Sequence, residues 1–385
     1  MKSLKSKMRT LALALMVVCG VLVAYPKQSE AMPAPRRINI TKILNKPSLG
    51  VTTSEETFTF KFTPYSYNGD TSITEGFPEI KDVSVTYDAS DNTDGKPEVD
   101  GMQVVKSADT SIEYDDFSFP GFKRGQYTFL LTELPGTTEY MTYSKASYYI
   151  TFMCNGSSVI IDSILIRKVT DDDGNPVKDE KLEYYNGGND KLIFNNYYDK
   201  KDGNDNPGGG TDITDADKKG FALRKTITGE TPSTTDYFVF KFKVEKPAGS
   251  KSTDTGFDYY IVKNDGTAGN KQTGAYGSDI TVDLKHNERV VLGKTLLGSK
   301  VTVEETDAGV YTGSVKESMF NGTKGQTNTG IIGDQESGNY VEYENTKQTP
   351  TGLLVDNLPF IALVAVAGAG IAFFVKNRKE EEALA

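Results

Sequence analysis

The feature that most constrains this chain is an internal repeat of strand-like segments. Phe58-Thr59-Phe60-Lys61-Phe62 is echoed by Phe238-Val239-Phe240-Lys241-Phe242. Ahead of each lies a strand pattern ending in lysine, Ile38 to Lys42 and Phe221 to Lys225. After each comes one ending in glutamate, Tyr127 to Glu133 and Val301 to Glu305. Last comes an aromatic, a spacer and an asparagine: Phe194-Asn195-Asn196 and Tyr343-Glu344-Asn345. Four features in one order, twice, imply two copies of one supersecondary unit. Alternation of period two in these runs, and in Val83 to Tyr87 and Tyr148 to Phe152, predicts strands with one buried face. Turn pairs such as Asp173-Gly174 and Asn321-Gly322 separate them. Outside the two ends no stretch carries a helical apolar period.

The expected architecture is therefore all-β, in two tandem domains at residues 32–200 and 218–347. Between them, residues 201–217 carry Gly208-Gly209-Gly210 among Asp, Asn and Pro, which predicts a flexible exposed linker.

The ends read as addresses. Lys2, Lys5, Lys7 and Arg9 precede an apolar run from Leu11 to Tyr25, the form of a secretory signal; small residues at Ser29 and Ala31 put the mature start near Met32. At the far end, Leu358 to Val375 is apolar and uncharged, about the 20 residues that span a bilayer. Lys376, Arg378 and Lys379 follow and would hold the tail on the cytoplasmic side.

Composition narrows the chemistry. A formal charge of -10 argues against a nucleic-acid surface. A single His supports neither a histidine-based metal cluster nor more than one Ser-His-Asp triad. Of the two Cys, Cys19 lies in the expected signal, so a mature monomer has no internal disulfide and Cys154 reads as a small buried strand residue. Asp171-Asp172-Asp173-Gly174-Asn175 lacks the ligand spacing of an EF-hand and reads as an acidic turn. No cofactor or metal is expected.

Gln348-Thr349-Pro350-Thr351-Gly352, the apolar span and the basic tail together resemble a cell-wall sorting signal. The motif keeps Pro-Thr-Gly and departs from Leu-Pro-x-Thr-Gly at its first two positions. The resemblance implies cleavage between Thr351 and Gly352, with a sortase cysteine holding Thr351 as a thioester until an amine takes it. Each half also resembles the isopeptide-linkage domain of Gram-positive backbone pilins, an immunoglobulin-like sandwich related to the collagen-adhesin B-type domain. That resemblance implies a bond between a first-strand lysine and a last-strand asparagine, promoted by a glutamate: Lys42, Asn196 and Glu133, then Lys225, Asn345 and Glu305. Glu304 adjoins Glu305, and strand alternation lets only one of them face inward. In that family an exposed lysine shortly before the first domain's asparagine receives the next subunit. Lys191 is the candidate acceptor and Lys181 its rival.

These residue types suit the chemistry. Free lysine titrates near about 10.4, and burial disfavours its charged form. A buried glutamate is pushed towards its neutral form, ready to hydrogen-bond the asparagine carbonyl and to pass a proton to departing ammonia. Each event happens once per domain, so the chain is not an enzyme with turnover. The expected role is a pilus shaft subunit on the cell wall, outside the cell, its precursor held in the cytoplasmic membrane. Expected partners are a sortase, neighbouring pilin subunits, peptidoglycan and host surface ligands, with no nucleic acid. The alternative is a wall-anchored adhesin or a minor pilin at tip or base.

Overall fold

The alternating runs form strands along most of the chain. The structure, a computed structural model, describes residues 37–47, 50–88, 98–99, 102–113, 123–154, 161–182, 192–229, 232–335, 338–347, 362–364 and 366–367. The expected secretion signal, Lys191 and Gln348 to Gly352 lie outside the described residues. So does most of the apolar segment after Leu358; its described residues are helical. Among the described residues no helix is long and apolar enough to cross a membrane.

The protein is all-β. The first half contributes β1 (Arg37–Lys46), β2 (Glu56–Tyr67), β3 (Val83–Tyr87), β4 (Glu98–Val99), β5 (Met102–Glu113), β6 (Gly125–Glu133), β7 (Met141–Thr142), β8 (Ser147–Cys154), β9 (Ile161–Thr170), β10 (Pro176–Lys181) and β11 (Leu192–Tyr198). They form two sheets, ordered β4-β5-β1-β11-β7 and β10-β9-β8-β6-β2-β3. The second half contributes β12 (Lys201–Asp202), β13 (Ala222–Gly229), β14 (Phe238–Glu245), β15 (Gly256–Val262), β16 (Gln272–Ala275), β17 (Asp279–Leu284), β18 (Arg289–Leu292), β19 (Thr295–Leu296), β20 (Lys300–Asp307), β21 (Thr312–Phe320), β22 (Thr323–Gly325), β23 (Thr329–Ile331) and β24 (Tyr340–Lys347). Its sheets run β16-β15-β18-β13-β24-β21-β22 and β17-β14-β20-β23, with β12 and β19 paired separately.

The cores follow from alternation, because successive side chains point to opposite faces of a sheet. In β2 the phenylalanines at 58, 60 and 62 are buried and the threonine and lysine between them are not; β14 repeats this with 238, 240 and 242. Asn321 and Gly322 both adopt positive φ, and they close the β21–β22 hairpin with the left-handed turn that matches strand twist.

One pairing decides the rest. β1 and β11 in the first half, and β13 and β24 in the second, the first and last strands of the two sandwiches, lie side by side and run parallel. In the first half Lys42 is opposite Phe194 and Leu44 opposite Asn196; in the second, Lys225 is opposite Tyr343 and Ile227 opposite Asn345. The aromatic and the asparagine two residues on share a face. Lysine, aromatic ring and asparagine are thus set to one side of the sheet in both halves, in the same register.

The expected flexible linker is not one. Within residues 201–217, Lys201 and Asp202 pair with Leu296 and Thr295. Asn204 N–H donates to Leu292 O, Gly209 N–H to Gly266 O, and Lys294 N–H to Asp205 Oδ1. Asp217, fully buried, takes Arg289 Nε at 3.0 Å. Composition favoured disorder, but these polar side chains satisfy backbone groups and a buried arginine instead, so the segment is a strap of the second body.

Candidate functional site: two buried Lys-Glu-Asn clusters

In the first half, β1 supplies Lys42, β11 supplies Asn196, and β6 in the facing sheet supplies Glu133. All three are buried, with Lys42 and Asn196 at 0% exposure. Lys42 Nζ lies 2.8 Å from Glu133 Oε2, and Asn196 Nδ2 donates to Glu133 Oε1 at 2.6 Å. One carboxyl group thereby bridges the amine and the amide. Phe58 lies under the amine, its ring centroid 4.5 Å from Nζ, and Phe60 packs on Phe194. These rings exclude water and supply the dry setting.

That setting governs protonation. Burial lowers the Lys42 amine from its usual value to about 8, against the pull of Glu133. Burial also raises the Glu133 carboxyl, against the pull of Lys42. Both shifts favour the neutral amine beside the neutral acid, because a charged pair in an apolar interior loses hydration that its mutual attraction only partly offsets.

The second half repeats the plan. Lys225 and Asn345 are fully buried on β13 and β24, and Glu305 comes from β20. Lys225 Nζ lies 3.2 Å from Glu305 Oε1, to which Asn345 Nδ2 donates at 2.7 Å. Burial lowers Lys225 to about 8. The Phe238 ring centroid is 4.4 Å from its Nζ. Of the two neighbouring glutamates, Glu305 faces in and Glu304 is exposed. Tyr343 replaces the phenylalanine of the first half without an orphaned hydroxyl, since its OH donates to Val303 O.

Sequence reasoning missed three participants. First, the asparagine carbonyl in the first cluster does not meet the glutamate as expected. Asn196 Oδ1 instead accepts the Ser144 backbone N–H at 2.7 Å, so the carboxyl faces the amide nitrogen. Backbone donors leave no mark in a sequence. Second, Gly313 on β21 stands opposite Asn345. A Cβ there would fall inside contact distance of Glu305 Oε2 and Asn345 Oδ1. The glycine is visible in the sequence, but its neighbours are set only by pairing. Third, the single histidine, His286, accepts the Ile227 N–H through Nδ1. Burial, then Arg224 and Lys225, lower its pKa. Its depressed value contributes stability that is present above the unfolded value of about 6.5 and lost as pH falls through the folded one. Melting temperature should therefore drop below about pH 6.5, and His286→Gln should flatten that slope without altering behaviour at neutral pH.

Of the remaining residues singled out, Lys181 is exposed on edge strand β10. Cys154 ends β8 half-buried rather than buried. The Asp171 carboxylate is committed to its own turn, accepting the N–H groups of Asp173 and Asn175.

A family profile described as a domain of unknown function (DUF7601) matches residues 219–347, the second sandwich. No curated protein matches the chain. Among solved structures, the chain is similar to the major pilin of Streptococcus pyogenes at 16% identity, covering 81% of this chain and 98% of that one, with a TM-score of 0.33. The T3.2 major pilin of the same species is similar at 18% identity over 81% and 98%, with a TM-score of 0.32. A pilus-presented adhesin is similar at 15% identity over 53% of this chain and 36% of that one, with a TM-score of 0.25.

Proposed function

We propose that the chain is a self-cross-linking shaft subunit of a Gram-positive pilus, secreted, joined to its own copies by a sortase at Thr351 and anchored to peptidoglycan. The observation that carries this reading is the duplicated buried cluster, in which a carboxyl group bridges an amine on the first strand and an amide on the last. Lys42 and Lys225 are each fully buried beside a carboxyl group, an arrangement that is costly unless it serves a purpose.

The chemistry follows from the contacts. Glu133 Oε2 takes a proton from Lys42 Nζ, and the neutral amine attacks Cγ of Asn196. Negative charge develops on Oδ1, where the Ser144 N–H already points. Glu133 then gives its proton to Nδ2 and takes the remaining excess proton from Nζ, the Cγ–Nδ2 bond breaks and ammonia leaves. The product is an amide between Nζ and Cγ. Lys225, Glu305 and Asn345 exchange protons and release ammonia in the same way, through Glu305 Oε1 and with no donor at Asn345 Oδ1 among the described residues. Folding holds the reactants together, which supplies the effective concentration. Each domain reacts once, with no cofactor and no turnover.

The intact mass of the recombinant region 32–347 tests the chemistry: two bonds predict a deficit of two ammonia molecules. A mass equal to the sum of the unmodified residues would refute it. The polymer claim is read on denaturing gels of cell-wall extracts. A covalent ladder lost on replacing Lys191 and Lys181 marks a shaft subunit, whereas a single wall-linked band marks the adhesin or minor-pilin role.

Proton bookkeeping gives a further expectation. The proton passes from lysine to glutamate inside the pair, and such a pair titrates as a unit. Bond formation in the first domain on refolding should be nearly flat from neutral pH up to about pH 8, and should fall above it, where the pair loses its shared proton. A tenfold rise per pH unit below about 8 would mean that solvent, not Glu133, takes the proton.

A further inference from the structure

The repeat allows the two sandwiches to be compared end for end. In the first, the loop after β1 is covered by the second sandwich. Pro47, Gly50, Val51 and Thr53 are buried. Gly50 O accepts the Asp334 N–H, and Asp334 Oδ2 accepts the Thr52 N–H and hydroxyl as well as Lys200 Nζ. Lys46, fully buried, braces the loop from inside by donating to Val51 O.

The equivalent loop of the second sandwich, between β13 and β14, is bare. Pro232, Thr234, Thr235 and Tyr237 are exposed, Tyr237 at 62%. Beside it Val310 is 78% exposed, in the turn between β20 and β21. The two are held as a unit, because Tyr311 OH donates to Asp236 Oδ2 and the Tyr311 ring packs edge-on against Phe238. Among the described residues of the two sandwiches, these are the most exposed large apolar side chains. Lys285, over the Tyr237 ring, and Lys347, over the Tyr311 ring, edge the patch.

We propose that this tip is a docking surface for a second copy of the chain, which covers Tyr237 and Val310 as the second sandwich covers the β1–β2 loop. Two observations favour that occupant. The covered loop at the equivalent position shows that a sandwich of this chain fits such a tip. The chain also leaves from the same place: β24 ends at Lys347, paired with Gly229 at the base of the bare loop. Thr351 lies four positions beyond Lys347, a reach of at most about 14 Å. A copy bonded at Thr351 is therefore held against this surface, where tethering raises its effective concentration.

The inference rests on the shaft reading, and the test separates the two. A photo-reactive phenylalanine analogue replaces Tyr237 in the full chain, expressed in cells that make the wild-type protein. The gel ladder before irradiation reads polymerisation alone. Irradiation should then add a crosslink whose fragments map to residues 32–200 of a second copy, and Val310→Ser should reduce its yield several-fold. A ladder without that crosslink, or a crosslink to another protein or to residues 348–385 of the same copy, overturns the docking surface and leaves the shaft reading intact. Absence of the ladder tells against the shaft reading, whatever the crosslink shows.

Discussion

Glu133→Ala leaves the first domain uncrosslinked: the mass of region 32–347 rises by one ammonia molecule, less the change in side chain, while the second domain still reacts. Lys42 and Asn196 remain in place but lose the group that moves the proton between them. The mechanical and thermal consequences follow from topology. A bond from β1 to β11 closes nearly the whole first domain into a ring and restricts the unfolded chain by about 5 kcal/mol in the disulfide analogy. For a domain of this size that is about 10–20 °C in melting temperature. Removing Glu133 also strands a buried amine, so Asn196→Ala serves as the companion variant. It forfeits the bond yet keeps the Lys42–Glu133 contact. If both variants melt with the wild type, the ring contributes nothing and the stabilising role assigned to it is wrong.

Gly313→Ala should have an equally selective effect on the other domain. The added methyl group must occupy space held by Glu305 Oε2 and Asn345 Oδ1, so the carboxyl and the amide cannot both keep their positions. Reactions that depend on preset geometry lose orders of magnitude when a reacting atom shifts by about an ångström. Mass spectrometry should show one ammonia lost rather than two, with the residual bond mapping to Lys42 and Asn196. Survival of the second bond at its normal rate would mean that the strand carrying Gly313 yields more easily than its pairing with β24 implies.

The two sites were legible in the sequence to different depths. Periodicity made the buried faces of β2 and β14 visible, because alternation is a local property. The lysines and asparagines stood out because the same set occurs twice in the same order. Glu305 could not be told from Glu304, since parity along a strand says that one faces in without saying which. The strap at 201–217 was misread because Gly, Asn and Asp suit a mobile linker and a tightly bonded loop equally well. What separates these is the partner, here Leu292, Gly266 and Arg289, all far along the chain. Ser144 was invisible because it acts through its backbone.

By itself the sequence determined the strand class, the duplication and the residue types able to react, since these depend on side-chain chemistry and on spacing within a few residues. Only the tertiary structure decided that the first and last strands run parallel in a register that sets each lysine two residues from its asparagine, and that a carboxyl from the opposite sheet reaches both. The physical reason is distance along the chain. Lys42 and Asn196 meet only after every intervening strand has taken its place, and strand pairing over such separations is chosen by the packing of the whole domain.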